Sequence, residues 1–143
     1  MSEKTRLIHG PENITAFINE ALFNTRSSSI VVTPECVPAI LETMTQAAYQ
    51  KKGVKFFYTT KWDIGTYKEI LKRMVMLGNV QFRDLKSSSR IWSMTRDGEE
   101  ILIAPEEKGE NLVGLVSTQG GYARLFSQVI GPMFQAQSKP LKL

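Results

Sequence analysis

Arg90 and Trp92 stand two residues apart in the run Ser87-Ser88-Ser89-Arg90-Ile91-Trp92. On a strand that spacing sends both side chains to one face, and the serines ahead of them can add hydroxyl and backbone donors for an anion. A second pair, Lys61-Trp62, follows Thr59-Thr60. Its ring offers a stacking platform and its ammonium a point charge, which suits a sugar-like or anionic ligand. Arg90, Trp92, Lys61 and Trp62 are therefore the candidate ligand-binding residues. Each also has a purely structural reading: an arginine lying over a tryptophan face, a tryptophan covering a helix end, a solvated lysine.

Catalytic chemistry finds less support. The chain has one histidine, His9, and one cysteine, Cys36, so an internal disulfide, a Cys/His zinc cluster and a two-histidine mechanism within one chain are all excluded. Cys36 follows Pro34-Glu35 near a helix start, with no base beside it, and reads as an inert thiol. Glu99-Glu100 and Glu106-Glu107 are adjacent carboxylates rather than groups converging on one bond. Gln119-Gly120-Gly121 lacks the spacing of a nucleotide-binding loop. The methionines at 44, 74, 94 and 133 fall on apolar faces and read as core filling. No catalytic residue, metal site or cofactor is expected.

The elements that position these residues are legible in the apolar spacing. A short strand, Thr5 to Ile8, is followed by Gly10-Pro11-Glu12 and a helix with Ile14, Phe17, Ile18, Ala21 and Leu22 on one face. Asn13-Ile14-Thr15 has the form of a glycosylation site but reads as helix-start chemistry. Ile30-Val31-Val32 predicts a buried strand stopping at Thr33-Pro34, and the next helix carries Val37, Ile40, Leu41, Met44, Ala47 and Ala48, with Gly53 as its stop. Val54 to Thr59 is a strand, Tyr67, Ile70, Leu71, Met74 and Val75 mark a third helix, and Val80 to Arg83 is the next strand. Three such units predict a mixed, mostly parallel sheet with helices on both faces.

Beyond residue 90 the pattern changes. Ile91 to Thr95 and Glu100 to Ala104 flank Arg96-Asp97-Gly98-Glu99, and Asp-Gly is a strong hairpin signal. A loop, Pro105 to Asn111, leads to a strand, Leu112 to Ser117. The last helix places Tyr122, Leu125, Phe126, Val129, Ile130, Met133 and Phe134 on one stripe, with Gly131-Pro132 expected to kink or end it. Residues 135–143 are expected to fray. The 143 residues read as a single domain without repeat or linker.

No apolar run approaches the roughly 18 to 20 residues that span a bilayer, and the charged start lacks a signal-peptide core, so a cytoplasmic location and no membrane contact are expected. Net charge is +4, but residues 51–90 hold ten Lys/Arg against three Asp/Glu. Such a segment can attract phosphates, although most charge of this kind is the solvated side of helices.

Several phrases, in order, resemble the effector domain of archaeal TrmB-type transcription regulators, which has a phospholipase D-like fold. They are Ile8-His9-Gly10, Ser29 to Pro34, Ala47-Ala48 with Lys52 to Phe56, Arg96 to Ile103, and Gly114 to Thr118 with the helix after it. Active phospholipase D-like enzymes carry His-x-Lys, four residues, then Asp, with a Gly-Ser shortly after. Aligning the hairpin on Asp97-Gly98 puts Arg90 at the histidine position and Trp92 at the lysine position, and the Gly-Ser becomes Ala104-Pro105. Only Asp97 survives. Arginine stays protonated and cannot be the nucleophile, so the resemblance implies a domain without hydrolytic activity.

The resemblance further implies a ligand-sensing or dimerisation domain, working as a homodimer with a small-molecule effector. The winged helix-turn-helix of such regulators is unmatched, so the chain is expected to be an excised effector domain or a stand-alone relative with a DNA-binding partner. The alternatives are a nucleic-acid-associated protein using the basic 51–90 segment and, further off, a residual phosphodiesterase.

Overall fold

A computed structural model describes residues 4–143. The elements follow in the order β1 (Thr5–His9), α1 (Pro11–Phe23), β2 (Ser28–Glu35), α2 (Pro38–Gln50), β3 (Lys55–Lys61), α3 (Ile64–Val75) and β4 (Val80–Leu85). Then come β5 (Ile91–Arg96), β6 (Glu100–Pro105), β7 (Val113–Ser117), α4 (Gly120–Leu125), a π-helical turn (Phe126–Ile130), α5 (Gly131–Ala136) and β8 (Ser138–Pro140).

The eight strands among the described residues form one sheet in the order β1-β7-β6-β5-β2-β3-β4-β8. Only β2/β3 and β3/β4 pair in parallel, and the other five neighbours are antiparallel. The expectation of a mostly parallel sheet is thus corrected to a mixed, mostly antiparallel one. Following the pairings across the sheet, β1 does run in the same direction as β2, β3 and β4. Strand–helix alternation fixes that direction but not the neighbour, and β7, β6 and β5 are inserted between β1 and β2.

Each helix starts where the backbone chemistry allows. Gly10, at φ 89°, turns the chain into α1, whose first residue is Pro11. Proline suits that place because the first-turn N–H has no partner in the helix anyway. The Asn13 amide donates to the His9 carbonyl at 2.8 Å, tying the helix start to β1. Pro38 opens α2 in the same way, and Asp63 caps α3 by accepting from the Thr66 N–H. Gly53 is not the left-handed stop expected for α2, which ends at Gln50. Asn79 gathers the following turn, its amide donating to the carbonyls of Ala48, Lys51 and Val54 at 3.0, 3.1 and 3.0 Å.

The main core lies on one face of the sheet, where Ile14, Ile18 and Leu22 of α1 and Ile40, Met44 and Ala48 of α2 meet Val31, Phe56, Tyr58 and Met94. Val32 points the other way, as the strand period requires, and packs with Leu85 and Phe134. On that second face Ile101 packs with Ala123 and Phe126. Helices therefore cover both faces. Gly114 belongs to the tightest contact: a Cβ there would lie 2.8 Å from the Leu102 side chain.

The C-terminal region departs from expectation in two ways. Instead of a kink at Gly131-Pro132, the helix widens into a π turn, with the Gly131 N–H donating to the carbonyl of Phe126, five residues back. A Cβ on residue 131 would meet that oxygen at 3.3 Å, so glycine admits the wide turn. Just past it Pro132, with no N–H, needs no partner in the preceding turn. The wide apolar stripe is divided as a result. Phe126 and Phe134 are buried, whereas Tyr122, Leu125, Val129 and Met133 are 41%, 49%, 56% and 38% exposed.

The expected frayed tail is the second correction. Ser138–Pro140 adds an edge strand antiparallel to β4, pairing Leu85 with Ser138 and Arg83 with Pro140. Arg83 fastens it: Nε donates to Ser138 Oγ at 2.8 Å, and Nη2 donates to the Ser138 carbonyl at 2.9 Å and the Gln135 carbonyl at 3.3 Å.

Candidate functional site

The parallel strands β2 and β3 end at Glu35 and Lys61, neighbours in register. Because β5 runs opposite to β2 and β6 opposite to β5, Arg90 before β5 and Glu106 after β6 arrive at the same end of the sheet. The ladder continues between them, with the Glu106 N–H donating to the Arg90 carbonyl at 2.8 Å. Loops and strand ends converge here, as they do where open sheets hold ligands.

Arg90 is bound on two sides. Nη1 and Nη2 donate to the two carboxylate oxygens of Glu35 at 2.5 and 2.9 Å, and Nε donates to Glu106 Oε1 at 2.8 Å. The hydrogen bonds to Glu35 and Glu106 hold the guanidinium charged well beyond its already high ordinary value. The second oxygen of Glu106 accepts from Trp92 Nε1 at 3.0 Å. That bond, and then Arg90, lower the Glu106 pKa against the effect of burial. Arg90 and Trp92 are thus brought together as the two-residue period required. A carboxylate joins them, and nothing in the Glu106-Glu107 dipeptide marked it for this role.

Lys61 is exposed at the same end. Trp62 is 9% exposed and Trp92 8%, so neither indole presents an open face. Trp62 is held edge-on by Tyr58 and Phe82, each 5.1 Å between centroids, and by Tyr67 at 6.2 Å. Its Nε1 donates to the Arg83 carbonyl at 2.9 Å.

The nearby hydroxyls are occupied as well. Tyr58 hydrogen-bonds Thr33 at 2.8 Å and accepts from the Val37 N–H at 3.1 Å, while Thr60 donates to the Thr33 carbonyl at 2.7 Å. Burial pushes the Tyr58 phenol far above its ordinary value, so it is a neutral structural group. Burial likewise pushes the Cys36 thiol up to about 11, with a hydrogen bond to Tyr67 opposing.

His9 lies at the exposed end of β1, three strands from β5. Three inter-strand spacings are roughly 14 Å, too far for it to act beside Arg90. Asp97 sits at the other end of β5, in the hairpin turn, where Asp97 and Gly98 adopt φ values of 56° and 67°. Two positive φ values suit the twist of a two-residue hairpin. Its carboxylate accepts from the N–H groups of Arg26, Ser27 and Ser28 at 2.9, 2.6 and 3.0 Å. Burial raises its pKa, but these three donors and Arg96 outweigh that and leave it lowered. Asp97 therefore latches the hairpin to the start of β2.

No family model matches the chain, and no curated protein is similar to it in sequence. Solved structures do match. TrmBL2, described as an archaeal chromatin protein with a novel mode of DNA binding, superposes over 97% of this chain and 55% of its own, with TM-score 0.75 and 15% identity. Nuc from Salmonella typhimurium, a phospholipase D family member, superposes over 97% of this chain and 98% of its own, with TM-score 0.66 and 12% identity. The chain has a phospholipase D-like fold. NucT from Helicobacter pylori gives TM-score 0.63 at 11% identity over 96% of this chain. The chain spans about half of TrmBL2 but nearly the whole of the two Nuc proteins.

The three positions that the sequence resemblance set against the motif separate in this sheet. Arg90 and Trp92 lie at one end of β5, bridged by Glu106, and Asp97 lies at the other. Among the described residues no group of three His, Cys, Asp or Glu could hold a metal ion, and no helix is long and apolar enough to cross a membrane.

Proposed function

We propose that the chain is a non-catalytic binding and dimerisation domain of the effector kind found in TrmB-type regulators. The observation that carries this is the state of Arg90. It stands where the resemblance puts the nucleophile, and Glu35 and Glu106 hold it cationic. A guanidinium has no lone pair to offer a phosphorus atom, and two carboxylates around it repel a phosphodiester. Arg90 and Lys61, backed by the buried Trp92 and Trp62, then form a polar end where an effector joins the Arg90–Glu35 pair through hydroxyl groups rather than displacing it. A sugar-like ligand fits this better than an anion, because the Glu35 carboxylate is exposed beside the arginine.

Dimerisation is supported by the outer face of the C-terminal helix. Tyr122, Leu125, Val129 and Met133 fall at intervals of three and four and lie at least 38% exposed. Such a stripe pairs with its own copy about a two-fold axis. The test is sedimentation of the wild type and of Val129→Asp: a dimer that the substitution splits supports the reading, and a monomeric wild type at micromolar concentration opposes it.

A second reading, nucleic-acid association, rests on the basic segment and on the DNA binding ascribed to TrmBL2. Of the ten cations in 51–90, Lys86 and Arg90 are paired to carboxylates, and Arg83 and Lys51 bind backbone carbonyls. Lys52, Lys55, Lys61, Lys68, Lys72 and Arg73 are exposed and form no ion pair among the described residues. Duplex binding through them would weaken steeply with salt; no binding at low salt would remove this reading.

A further inference from the structure

Between the second face of the sheet and the C-terminal helix lies a cleft of about 460 Å³. Its floor is built from register. Thr95, Ile30, Phe57 and Gln81 are successive cross-strand neighbours, and Val32, Thr59 and Arg83 form the next row. Phe126, Pro132 and Phe134 form the helix side. The lining is therefore mostly apolar, and its size falls in the roughly 300–1,000 Å³ range of small-molecule sites. Ile30 is 39% exposed in the middle of its strand because the helix does not close over it.

Among the described residues one charge, Arg83, lines this space. Arg83 has no carboxylate partner among the described residues. Nε and Nη2 are spent on Ser138 and Gln135, which fixes the guanidinium in place, while Nη1 makes no hydrogen bond among the described residues. A cation held rigidly at an apolar cleft, with donors to spare, is matched by an anion carrying an apolar body. A carboxylate takes the free donors while its chain covers Ile30 and Phe57.

We infer that this cleft binds a small apolar carboxylate, the acid group on Arg83 and the hydrocarbon along Ile30, Phe57 and Phe134. The site is separate from the Arg90–Trp92 end, since Trp92 packs in the core on the opposite face of the sheet. The π turn that widens the helix contributes Phe126 and Ser127 to its wall, and π turns recur at functional sites.

Calorimetric titration of the intact chain with decanoate, and with decanol as the uncharged counterpart, tests the assignment. Decanoate binds once per chain and saturably, decanol binds at least about tenfold more weakly, and Arg83→Gln weakens decanoate by about tenfold or more, as expected for a lost charge-assisted bond. Ile30→Trp, which fills the cleft from an exposed position, weakens it comparably while leaving Arg83 and its tie to β8 intact. Should Arg83→Gln lose its cooperative melting, Ile30→Trp and the decanol comparison carry the test. Absence of saturable decanoate binding, equal binding of decanol, or wild-type affinity in Ile30→Trp would each overturn the assignment.

Discussion

Arg90 and Trp92 share one carboxylate: Glu106 accepts from Arg90 Nε through one oxygen and from Trp92 Nε1 through the other. With Glu35 on the remaining side of the guanidinium, the strand end becomes a closed polar chain running from an exposed carboxylate to a buried indole. Its order is set by backbone pairing, because the ladder between β5 and β6 already places residues 90 and 106 side by side.

Replacing Glu106 by Gln separates the two bonds. The amide can serve one donor well but cannot balance Arg90, and half-exposed ion pairs contribute about 1 kcal/mol or less. Chemical denaturation is expected to show a small loss, below about 2 kcal/mol, while the indole N–H signal of Trp92 shifts by NMR. An unmoved indole signal would show that Trp92 does not depend on Glu106.

Asp97 is expected to matter more for stability than any residue at the Arg90–Trp92 end of the sheet. Asp97→Ala leaves three N–H groups of residues 26–28 without their acceptor, at a cost of about 2 kcal/mol or more, whereas Asp97→Asn keeps one acceptor and tolerates the positive φ. Equilibrium urea unfolding should rank wild type above Asn above Ala.

The same carboxylate gives the fold an acid sensitivity with a definite sign. Its folded pKa is lowered, so its stabilising contribution is complete above the ordinary value of 3.8 and is lost as the pH falls through the folded value. Glu106, lowered from 4.5, acts in the same direction. Thermal melts of Asp97→Asn against pH should lose less stability on acidification than the wild type.

Cys36 is expected to react slowly. With its thiol pushed up to about 11 from 9.0, the thiolate fraction at neutral pH is about a hundredfold lower than for an unperturbed cysteine. Iodoacetamide modification followed by mass spectrometry should be slow at neutral pH and rise steeply only under strongly alkaline conditions. Rapid labelling at neutral pH would contradict the raised pKa of this half-buried thiol.

The sequence made the local elements legible because their signals are local. Gly10-Pro11 marks a helix start, Asp97-Gly98 marks the hairpin, and Ile14, Ile18, Ala21 and Leu22 trace a face that is buried. Pairing between distant strands has no such signal, and the place of β1 beside β7 could not be read from it. The short strand Ser138–Pro140 was hidden because it is made by an arginine fifty-five residues earlier. At the candidate site the same division holds: Arg90 and Trp92 were visible by their period, whereas Glu35 and Glu106 join them only through sheet register.

The proposal that the chain is non-catalytic is tested most directly by hydrolysis of bis-p-nitrophenyl phosphate by the purified wild-type chain and by Arg90→Ala. An arginine held cationic between Glu35 and Glu106 predicts no release of nitrophenol above the buffer rate from either protein. Release that scales with wild-type concentration and disappears in Arg90→Ala would contradict it.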